Sequence, residues 1–241
     1  VAEAYERGRP EYPPAVVGAL AAELGLAPGE RVLDLAAGTG KLSRALLAAG
    51  FDLLAVEPLP ELRRVLGEKI GAGRVREGLA EAIPLEDASV AAVTVADAFH
   101  WFDHAQALGE IRRVLRPRGA LAVLTTLPDW SGASWAHELG TLVAELRPEH
   151  PQFDGAPWQD AVRAVGGWTA PREFRVTSAQ PAEAGRVLAH LESMSWIAAM
   201  PVAQRVPTLE RIRALVEEGE TPDELPFHFL VGLTSSESAR A

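Results

Sequence analysis

The sequence contains no cysteine and no long uninterrupted hydrophobic segment. Without cysteine the chain cannot form disulfides, use a thiol nucleophile or bind a metal ion through thiolates. A helix that crosses a membrane needs about 18 consecutive apolar residues, and no segment approaches that length. These absences argue against disulfide scaffolds, thiol enzymes and proteins held in a membrane by helices.

Positive charge is scarce as well. Lys and Arg together number 23 against 33 Asp and Glu, which gives a formal net charge of −10 and a sequence pI of about 5.1. Such a surface disfavours binding to phosphate backbones and to anionic membranes, so we expect neither nucleic acid nor a membrane as a partner. No secretory signal is recognisable, which favours a cytoplasmic location.

Residues 31–40 read R-V-L-D-L-A-A-G-T-G, a short apolar run followed by a turn of small residues. Leu42, Ala45, Leu46 and Ala49 then follow at the spacing of one helical face. The pattern predicts a strand, a tight turn and a helix, in which the glycines permit positive φ and close approach of a ligand. Such a turn is common to many nucleotide-binding α/β folds.

A second strand, predicted over residues 53–56, ends at Glu57, which lies 19 residues beyond Gly38. In doubly wound folds an acidic residue at this place accepts hydrogen bonds from both ribose hydroxyls of a nucleotide. The spacing therefore makes Glu57 a candidate ribose ligand.

Short apolar strands alternate with amphipathic helices from residue 15 to residue 125, which predicts a parallel sheet with right-handed crossovers. Segment 90–96 is apolar except for Thr94 and is expected to be central, whereas the half-polar segment 74–78 is typical of an edge strand. Ligands bind such sheets at the carboxyl ends of the strands. The predicted strands are 32–35, 53–56, 74–78, 90–96 and 120–124, and Arg116–Gly119 is expected to end the helix before the last of them.

The C-terminal half is less regular. Segments 173–177 and 227–233 alternate like strands, and segments 135–146, 182–194 and 209–218 have helical spacing. We expect two further strands that complete the sheet, with a small helical insertion over the mouth of the site. Residues 1–14 are polar and rich in proline, which suits a surface lead-in or a flap over a ligand, and residues 235–241 are expected to fray.

Five motifs together identify a resemblance to a known family. D-L-A-A-G-T-G, V-E-P, G-L-A-E-A-I-P-L, A-F-H-W-F-D and R-R-V-L-R-P-R-G occur in the order and spacing of the class I S-adenosylmethionine-dependent methyltransferases. The chain most resembles the methyltransferase type 11 branch and is similar to trans-aconitate methyltransferase-like proteins, whose N-terminal segment the lead-in Y-x-x-x-R-P-x-Y-P resembles. The resemblance is close over residues 1 to about 125.

The resemblance implies a Rossmann-like α/β fold with a seven-stranded, mostly parallel sheet and helices on both faces. Its strands, numbered along the chain, would lie in the order 3-2-1-4-5-7-6, with strand 7 antiparallel and a small helical insertion before that last strand. It also implies a single methyltransferase domain over residues 1–241. Within it we distinguish an N-terminal flap and helix (1–29), a cofactor-binding core (30–126) and a C-terminal part (127–241) with a helical cap at about 179–222.

The cofactor implied by the resemblance is S-adenosylmethionine, with S-adenosylhomocysteine as its product. Asp34 and the turn after it would hold the methionine end, and Glu57 the ribose. Tyr5 and Arg9 would close over the cofactor carboxylate. The implied cofactor-binding residues are Tyr5, Arg9, Asp34, Ala36, Ala37, Gly38, Thr39, Gly40, Glu57, Pro58, Leu79, Ala80, Glu81, Ala96, Asp97 and His100.

The implied reaction is methyl transfer to a small organic molecule, most readily at oxygen, by an in-line displacement driven by positioning. His100 is the candidate general base because imidazole titrates near neutral pH, although it could instead only line the site. No metal site is expected, since His100 and His104 flank a loop-to-helix junction. Aromatic faces stabilise a sulfonium ion by cation–π attraction, and the candidate substrate-side residues are Tyr12, Trp101, Trp130 and Trp135.

Ala36 departs from the family, which usually has glycine at this position. A negative φ at Ala36 would cost little, whereas a positive φ would strain an alanine by about 1 kcal/mol. For Trp130 and Trp135, packing beneath the helical cap is the alternative to a place at the substrate.

Two other functions fit parts of the pattern. Residues 38–43 nearly read G-x-G-x-x-G, which together with Glu57 would suit an NAD(P)-dependent oxidoreductase, but Ser43 replaces the third glycine. A non-catalytic S-adenosylmethionine-binding protein would keep the same turn. The oligomeric state is left open between monomer and homodimer.

Overall fold

The computed structural model describes residues 2–132, 134–147, 149–150, 154–219 and 221–237. Seven strands within these residues form one sheet in the order β3-β2-β1-β4-β5-β7-β6, in which β7 is antiparallel. This confirms the strand order and the Rossmann-like fold expected from the sequence. The strands are β1 (Arg31–Leu35), β2 (Asp52–Val56), β3 (Val75–Arg76), β4 (Val90–Ala96), β5 (Leu115–Pro128), β6 (Arg172–Pro181) and β7 (Glu224–Ser235).

Helices precede and connect these strands. Three of the helices in the described residues lie between β6 and β7, which confirms the predicted helical insertion before the last strand. Ala72–Arg74 and Phe99–Trp101 form short 3-10 turns. The helices are α1 (Ala2–Gly8), α2 (Pro14–Leu24), α3 (Lys41–Ala48), α4 (Pro60–Ile70), α5 (His104–Val114), α6 (Ser134–Leu146), α7 (Trp158–Val165), α8 (Ala184–Glu192), α9 (Ser195–Ala198) and α10 (Val202–Glu218).

β4 is the central strand, as its apolar sequence predicts. Its residues from Val90 to Val95 are at most 5% exposed, and it pairs in parallel with β1 on one side and β5 on the other. β1 pairs in parallel with β2, and β2 with the two-residue edge strand β3. Because these strands are parallel, their carboxyl ends meet at one edge of the sheet.

β5 begins earlier than predicted. Leu115 already pairs with Val90, but the next pair joins Ala120 to Ala92, so residues 116–119 form an irregularity within the strand. Arg118 adopts a φ of +63° in this irregularity. The expectation that Arg116–Gly119 ends the preceding helix is therefore wrong: α5 ends at Val114, and these residues bulge out of β5.

Several helical segments differ from the sequence-based prediction. α1 lies in the polar, proline-rich lead-in, and α7 and α9 were not predicted. α10 starts at Val202, seven residues before the predicted start, and continues through Pro207. The proline follows little more than one turn of helix, so the ring removes only one early backbone hydrogen bond. Of the predicted frayed end, residues 238–241 lie outside the described residues.

The chain divides into two compact units. The first unit consists of Val1–Pro10, Leu127–Asp154 and Thr177–His228, and the second of Glu11–Thr126, Gly155–Val176 and Phe229–Ala241. Within the first unit α1 packs on α8, and α10 packs on α6. The second unit contains β1 to β4 with the helices that connect them. The single methyltransferase domain stays a prediction.

Candidate functional site

The turn after β1 is built from left-handed backbone. Ala36, Gly38 and Gly40 have φ values of +56°, +58° and +89°. A Cβ on Gly40 would also lie 2.6 Å from Leu66 Cδ1, so the Leu66 side chain would have to shift to admit it. The positive φ at Ala36 decides the question raised by the sequence: the alanine occupies a conformation that costs a side-chain-bearing residue about 1 kcal/mol.

Glu57 holds this turn from the end of β2. Its Oε2 accepts a hydrogen bond from the Gly38 amide at 2.8 Å, and its Oε1 accepts one from the Leu59 amide at 2.9 Å. Burial raises the pKa of Glu57, although these two amides and the charge of Arg63 oppose that rise. A carboxylate offers about four lone-pair sites, so Glu57 retains capacity to accept further hydroxyl donors.

Asp34 is turned into the protein below the turn. It is 1% exposed, Ser43 Oγ donates to its Oδ2 at 2.5 Å, and Thr94 Oγ1 donates to its Oδ1 at 3.2 Å. Burial raises the pKa of Asp34 to about 6 against a usual value of 3.8, despite these two hydroxyl donors. These contacts tie together β1, α3 and β4, and the predicted contact with the methionine end of the cofactor stays a prediction.

A second strained residue lies at the end of β4, the strand next to β1. Asp97 has a φ of +52°, and its Oδ1 accepts a hydrogen bond from the Thr126 amide at 2.8 Å. Sparsely populated backbone of this kind concentrates at ligand sites, where the surroundings hold it in place. Ala36 and Asp97 thus mark the ends of two adjacent strands at the point where the strand order reverses, which is where open α/β sheets bind ligands.

The 3-10 turn after Asp97 carries the aromatic candidates. The rings of His100 and Trp101 lie with their centroids 4.9 Å apart, and Trp101 is 55% exposed. His104 is turned away, with Nε2 at 3.3 Å from the Phe99 carbonyl oxygen. Nowhere in the described residues do three or more His, Asp or Glu side chains gather in a group that could hold a metal ion.

Tyr12 is buried against the core of the second unit. Its hydroxyl lies 3.1 Å from Thr126 Oγ1, and its ring lies 5.3 Å from that of Phe229. These contacts give Tyr12 a packing role next to the end of β5. Its predicted contact with the substrate stays a prediction.

The loop after β3 contributes the remaining candidates of the second unit. Leu79 is 54% exposed, whereas Ala80 is buried in the core. Glu81 Oε1 accepts a hydrogen bond from the Asp103 amide at 2.8 Å, which joins the loop to the start of α5. The candidate residues that follow β1, β2, β3 and β4 therefore lie at one edge of the sheet, where these parallel strands end.

Four candidates belong to the first unit. Arg9 Nε donates to Ser193 Oγ at 3.0 Å, and its guanidinium lies 5.4 Å from the centroid of the Tyr5 ring. Trp135 is 4% exposed and packs against Gly219 of the segment after α10. Trp130 packs against Gly140 of α6. The cofactor and substrate roles assigned to these residues stay predictions.

Sequence reasoning missed the residues that support the turn. Ser43 was considered only as a replacement for a glycine, and Thr94 only as the polar exception in an apolar strand. Lys41 is 6% exposed, and its Nζ donates to Glu11 Oε1 at 2.6 Å. These polar residues lie in or beside apolar segments, which could have marked them as functional. The sequence alone does not show which of them form pairs, because the partners are 9 to 60 positions apart along the chain.

The Thr39 hydroxyl is a further indication that the turn suits an adenosyl cofactor. Thr39 is 0% exposed, and its Oγ1 has no hydrogen-bond partner among the described residues. A buried hydroxyl without a partner is unfavourable, so a ligand with polar groups at the turn would satisfy it.

Every helix in the described ranges is too short or too polar to span a membrane.

Comparisons with known proteins agree with this geometry. A family model described as a methyltransferase domain matches residues 33–123. An uncharacterized methyltransferase of Mycobacterium tuberculosis is 38% identical over 213 residues, which cover 88% of this chain and 82% of that protein. An uncharacterized methyltransferase of Schizosaccharomyces pombe is 31% identical over 242 residues, which cover 97% of this chain and 93% of that protein.

A solved structure extends the similarity to the fold. A protein from Anaeromyxobacter dehalogenans described as a type II methyltransferase superposes with a TM-score of 0.61 at 24% identity. The superposition covers 95% of this chain and 97% of that one. At this identity the match supports the fold and carries no argument about the substrate.

Proposed function

Since this chain belongs to the class I S-adenosylmethionine-dependent methyltransferases, we propose that it methylates a small organic molecule, most readily at oxygen, by in-line displacement. The family assignment makes the chain a methyltransferase and decides against the NAD(P)-dependent oxidoreductase considered as an alternative. What is proposed here is the class of acceptor, the acceptor atom and the residues that act.

The observation that carries the cofactor site is the contact between Glu57 and the glycine turn. The Gly38 amide donates to Glu57 Oε2 at 2.8 Å, so the ends of β1 and β2 are fixed relative to each other. A carboxylate held in this way is preorganised to accept the two ribose hydroxyls without further reordering. Pro58 follows directly and would pack on the adenine.

The remaining cofactor residues surround this contact on the second unit. S-adenosylmethionine, when bound, supplies an electrophilic methyl group on a sulfonium ion. The residues proposed to bind it from the second unit are Ala36, Ala37, Gly38, Thr39, Gly40, Glu57, Pro58, Leu79, Ala80, Glu81, Ala96, Asp97 and His100. Their contribution is to orient the cofactor and to exclude water, which is where most of the catalysis in such a transfer comes from.

The acceptor side of the proposal depends on Trp101 and His100. An exposed indole beside an imidazole suits a small organic molecule, because the indole face attracts a cationic sulfonium centre and covers an apolar acceptor. His100 is the candidate base that removes a proton from an acceptor hydroxyl; a carboxylate acceptor would need no base. The net charge of −10 supports a small molecule over a polyanionic partner.

The decisive experiment is isothermal titration with S-adenosylmethionine, S-adenosylhomocysteine and NAD in parallel. We expect micromolar binding of the two adenosyl compounds and no binding of NAD. Glu57→Ala should weaken S-adenosylmethionine binding more than tenfold, because the ribose loses its acceptor and the turn loses its tie to β2. The matched control is Glu61→Ala, which removes an exposed glutamate four residues further on.

Two outcomes would overturn the proposal. Binding of NAD alone would contradict the cofactor, and unchanged affinity in a folded Glu57→Ala protein would contradict the ribose assignment. Melting curves of both variants without ligand establish that each is folded at the titration temperature.

A further inference from the structure

Within the connection from β3 to β4, residues 79–88 form a loop that Arg113 of α5 contacts at three points. Arg113 Nη2 donates to the Ile83 carbonyl oxygen at 2.9 Å, and its Nη1 donates to the Leu85 carbonyl oxygen at 2.8 Å. The same Nη1 donates to Asp87 Oδ1 at 2.8 Å. One side chain therefore satisfies three acceptors spread over five residues of the loop.

Glu110 completes this arrangement one turn earlier on α5. Its Oε2 accepts from the Ile83 amide at 2.9 Å, and its two oxygens accept from Arg113 Nε and Nη2, each at 2.7 Å. The hydrogen bond from Arg113 lowers the pKa of Glu110, so the pair stays charged at neutral pH. The guanidinium is thus fixed in a bidentate pair while it reaches the loop.

The start of the same loop carries Ala80 and Glu81, the residues of the proposed cofactor site that would line the adenine pocket. Ala80 and Ile83 are 5% and 3% exposed and belong to the core that includes Leu108 and Ile111 of α5. Glu81 accepts a hydrogen bond from the amide of Asp103, and the side chain of Asp103 caps the start of α5. Both ends of the loop are therefore tied to one helix, α5.

We propose that Arg113 is a positioning residue for adenine recognition: it fixes the 79–88 loop on α5 and thereby sets the place of Ala80 and Glu81. This inference rests on the proposed cofactor site. Arginine is required because its planar fork reaches two carbonyl oxygens, Asp87 and both oxygens of Glu110 at once, whereas a lysine ammonium has only three donors at a single point. The side chain acts through the loop and not by touching the reacting atoms.

The test is Arg113→Lys, which keeps the positive charge and loses the fork. Its matched control is Arg112→Lys on the neighbouring, exposed residue, whose Nη1 donates to the Gly166 carbonyl oxygen at 3.5 Å and which forms no hydrogen bond to the loop within the described residues. Titrations use S-adenosylhomocysteine, adenosine and S-inosylhomocysteine, in which oxygen replaces the adenine amino group. The ratio of affinities for S-adenosylhomocysteine and S-inosylhomocysteine reports adenine recognition, and a purely structural role would leave this ratio unchanged.

For Arg113→Lys we expect about tenfold weaker binding of both S-adenosylhomocysteine and adenosine, and at least a threefold fall in the ratio. The Arg112→Lys protein should match the wild type within about twofold. A lower melting temperature with unchanged affinities and ratio would overturn the inference and leave Arg113 a structural residue only.

Glu110→Gln serves if Arg113→Lys fails to fold, because it keeps an acceptor for the Ile83 amide and removes the charge that fixes Arg113. For Glu110→Gln we expect weaker binding of S-adenosylhomocysteine and adenosine and a lower affinity ratio, each by less than for Arg113→Lys. Unchanged affinities would again overturn the inference. If the wild type binds none of the three compounds, the proposed cofactor site fails and this inference falls with it. Binding by the wild type with no difference in the variants refutes this inference alone.

Discussion

The two units of the molecule differ in how their backbone is used. All of the non-glycine residues recorded with positive φ in the described ranges, Ala36, Ala88, Asp97 and Arg118, belong to the second unit. Two of them end neighbouring strands at the candidate site. The first unit is built mainly from helices with ordinary backbone. Strain is therefore concentrated in the unit that carries the cofactor motif, as expected when a site is held in a preset shape by its surroundings.

The units also bury ionisable groups of opposite kinds. Asp34 in the second unit has a pKa raised to about 6 by burial. His190 in the first unit is 2% exposed, and burial together with the charge of Arg9 lowers its pKa well below its usual value. Burial favours the neutral form of each side chain. The contribution of Asp34 to stability should therefore fall as the pH rises, and that of His190 should fall as the pH drops.

The largest effect is expected from Gly8→Ala in the first unit. A Cβ on Gly8 of α1 would meet the backbone of Ala189 and His190 on α8 at well under 3.0 Å, and backbone atoms cannot move aside. We expect the free energy of unfolding to fall by about 3 kcal/mol, with loss of hydrogen-exchange protection in α1.

The control for that substitution lies in the second unit. Gly18 of α2 has nothing within 4 Å of its added Cβ, so Gly18→Ala should stabilise the protein by about 0.5–1 kcal/mol. Equal small effects at both positions would show that α1 does not depend on close approach to α8. Denaturant titrations of both variants make the comparison.

Asp34→Asn should remove a pH dependence from the second unit. Between about pH 4 and pH 6 the folded wild type keeps the Asp34 proton and the unfolded chain releases it, so raising the pH opposes folding. A pKa difference of about 2 corresponds to about 3 kcal/mol. The stability of the wild type relative to the variant should fall by that order between pH 4 and pH 7 and then level off.

His190→Leu in the first unit provides the check, because its effect on stability should depend on pH in the opposite direction. For His190→Leu, the stability of the wild type relative to the variant should fall as the pH drops below about 6.5, because only the unfolded chain then takes up the proton. Denaturant titrations at several pH values measure both differences. Parallel slopes for the two variants would contradict the assignment of these groups.

The smallest effect is expected from Ala36→Gly, which relieves the strain of the turn. Glycine adopts a φ of +56° without cost, but it also increases the freedom of the unfolded chain. Because that added freedom offsets part of the relieved strain, we expect a net gain of at most about 0.5 kcal/mol in the free energy of unfolding. Ala37→Gly, at the next residue, should instead lose up to about 1 kcal/mol. A loss at both positions would show that Ala36 is not strained.

The sequence predicts the second unit better than the first, for a physical reason. A parallel strand buried on both faces leaves a continuous apolar run, so Val90–Ala96 was recognised with the bounds that the structure shows. Helices that pack on one another tolerate varied sequences. The polar residues of α1 therefore hid that helix, and the proline in α10 hid the first seven residues of a helix that was otherwise predicted.

For the candidate site, the sequence predicted positions but not partners. Glu57 was identified by its offset from Gly38, and the structure adds that the two are hydrogen-bonded. The contact of Asp34 with Ser43 and Thr94 joins residues 9 and 60 positions apart, and no local pattern encodes it. The same holds for Arg113, whose loop acceptors lie 26 to 30 residues earlier in the chain.

The two edge strands of the sheet, β3 and β6, differ in length and composition. This difference affects how each edge avoids pairing with unfolded or partly folded chains. An exposed edge strand offers unpaired backbone groups to any other chain, and natural sheets counter this with short strands, charge or proline. β3 has only two residues and gives little template for an added strand. β6 has ten residues, but Arg172, Glu173 and Arg175 are exposed along it and Pro181 closes it. One edge is thus protected by its shortness, and the other by its charges and its terminal proline.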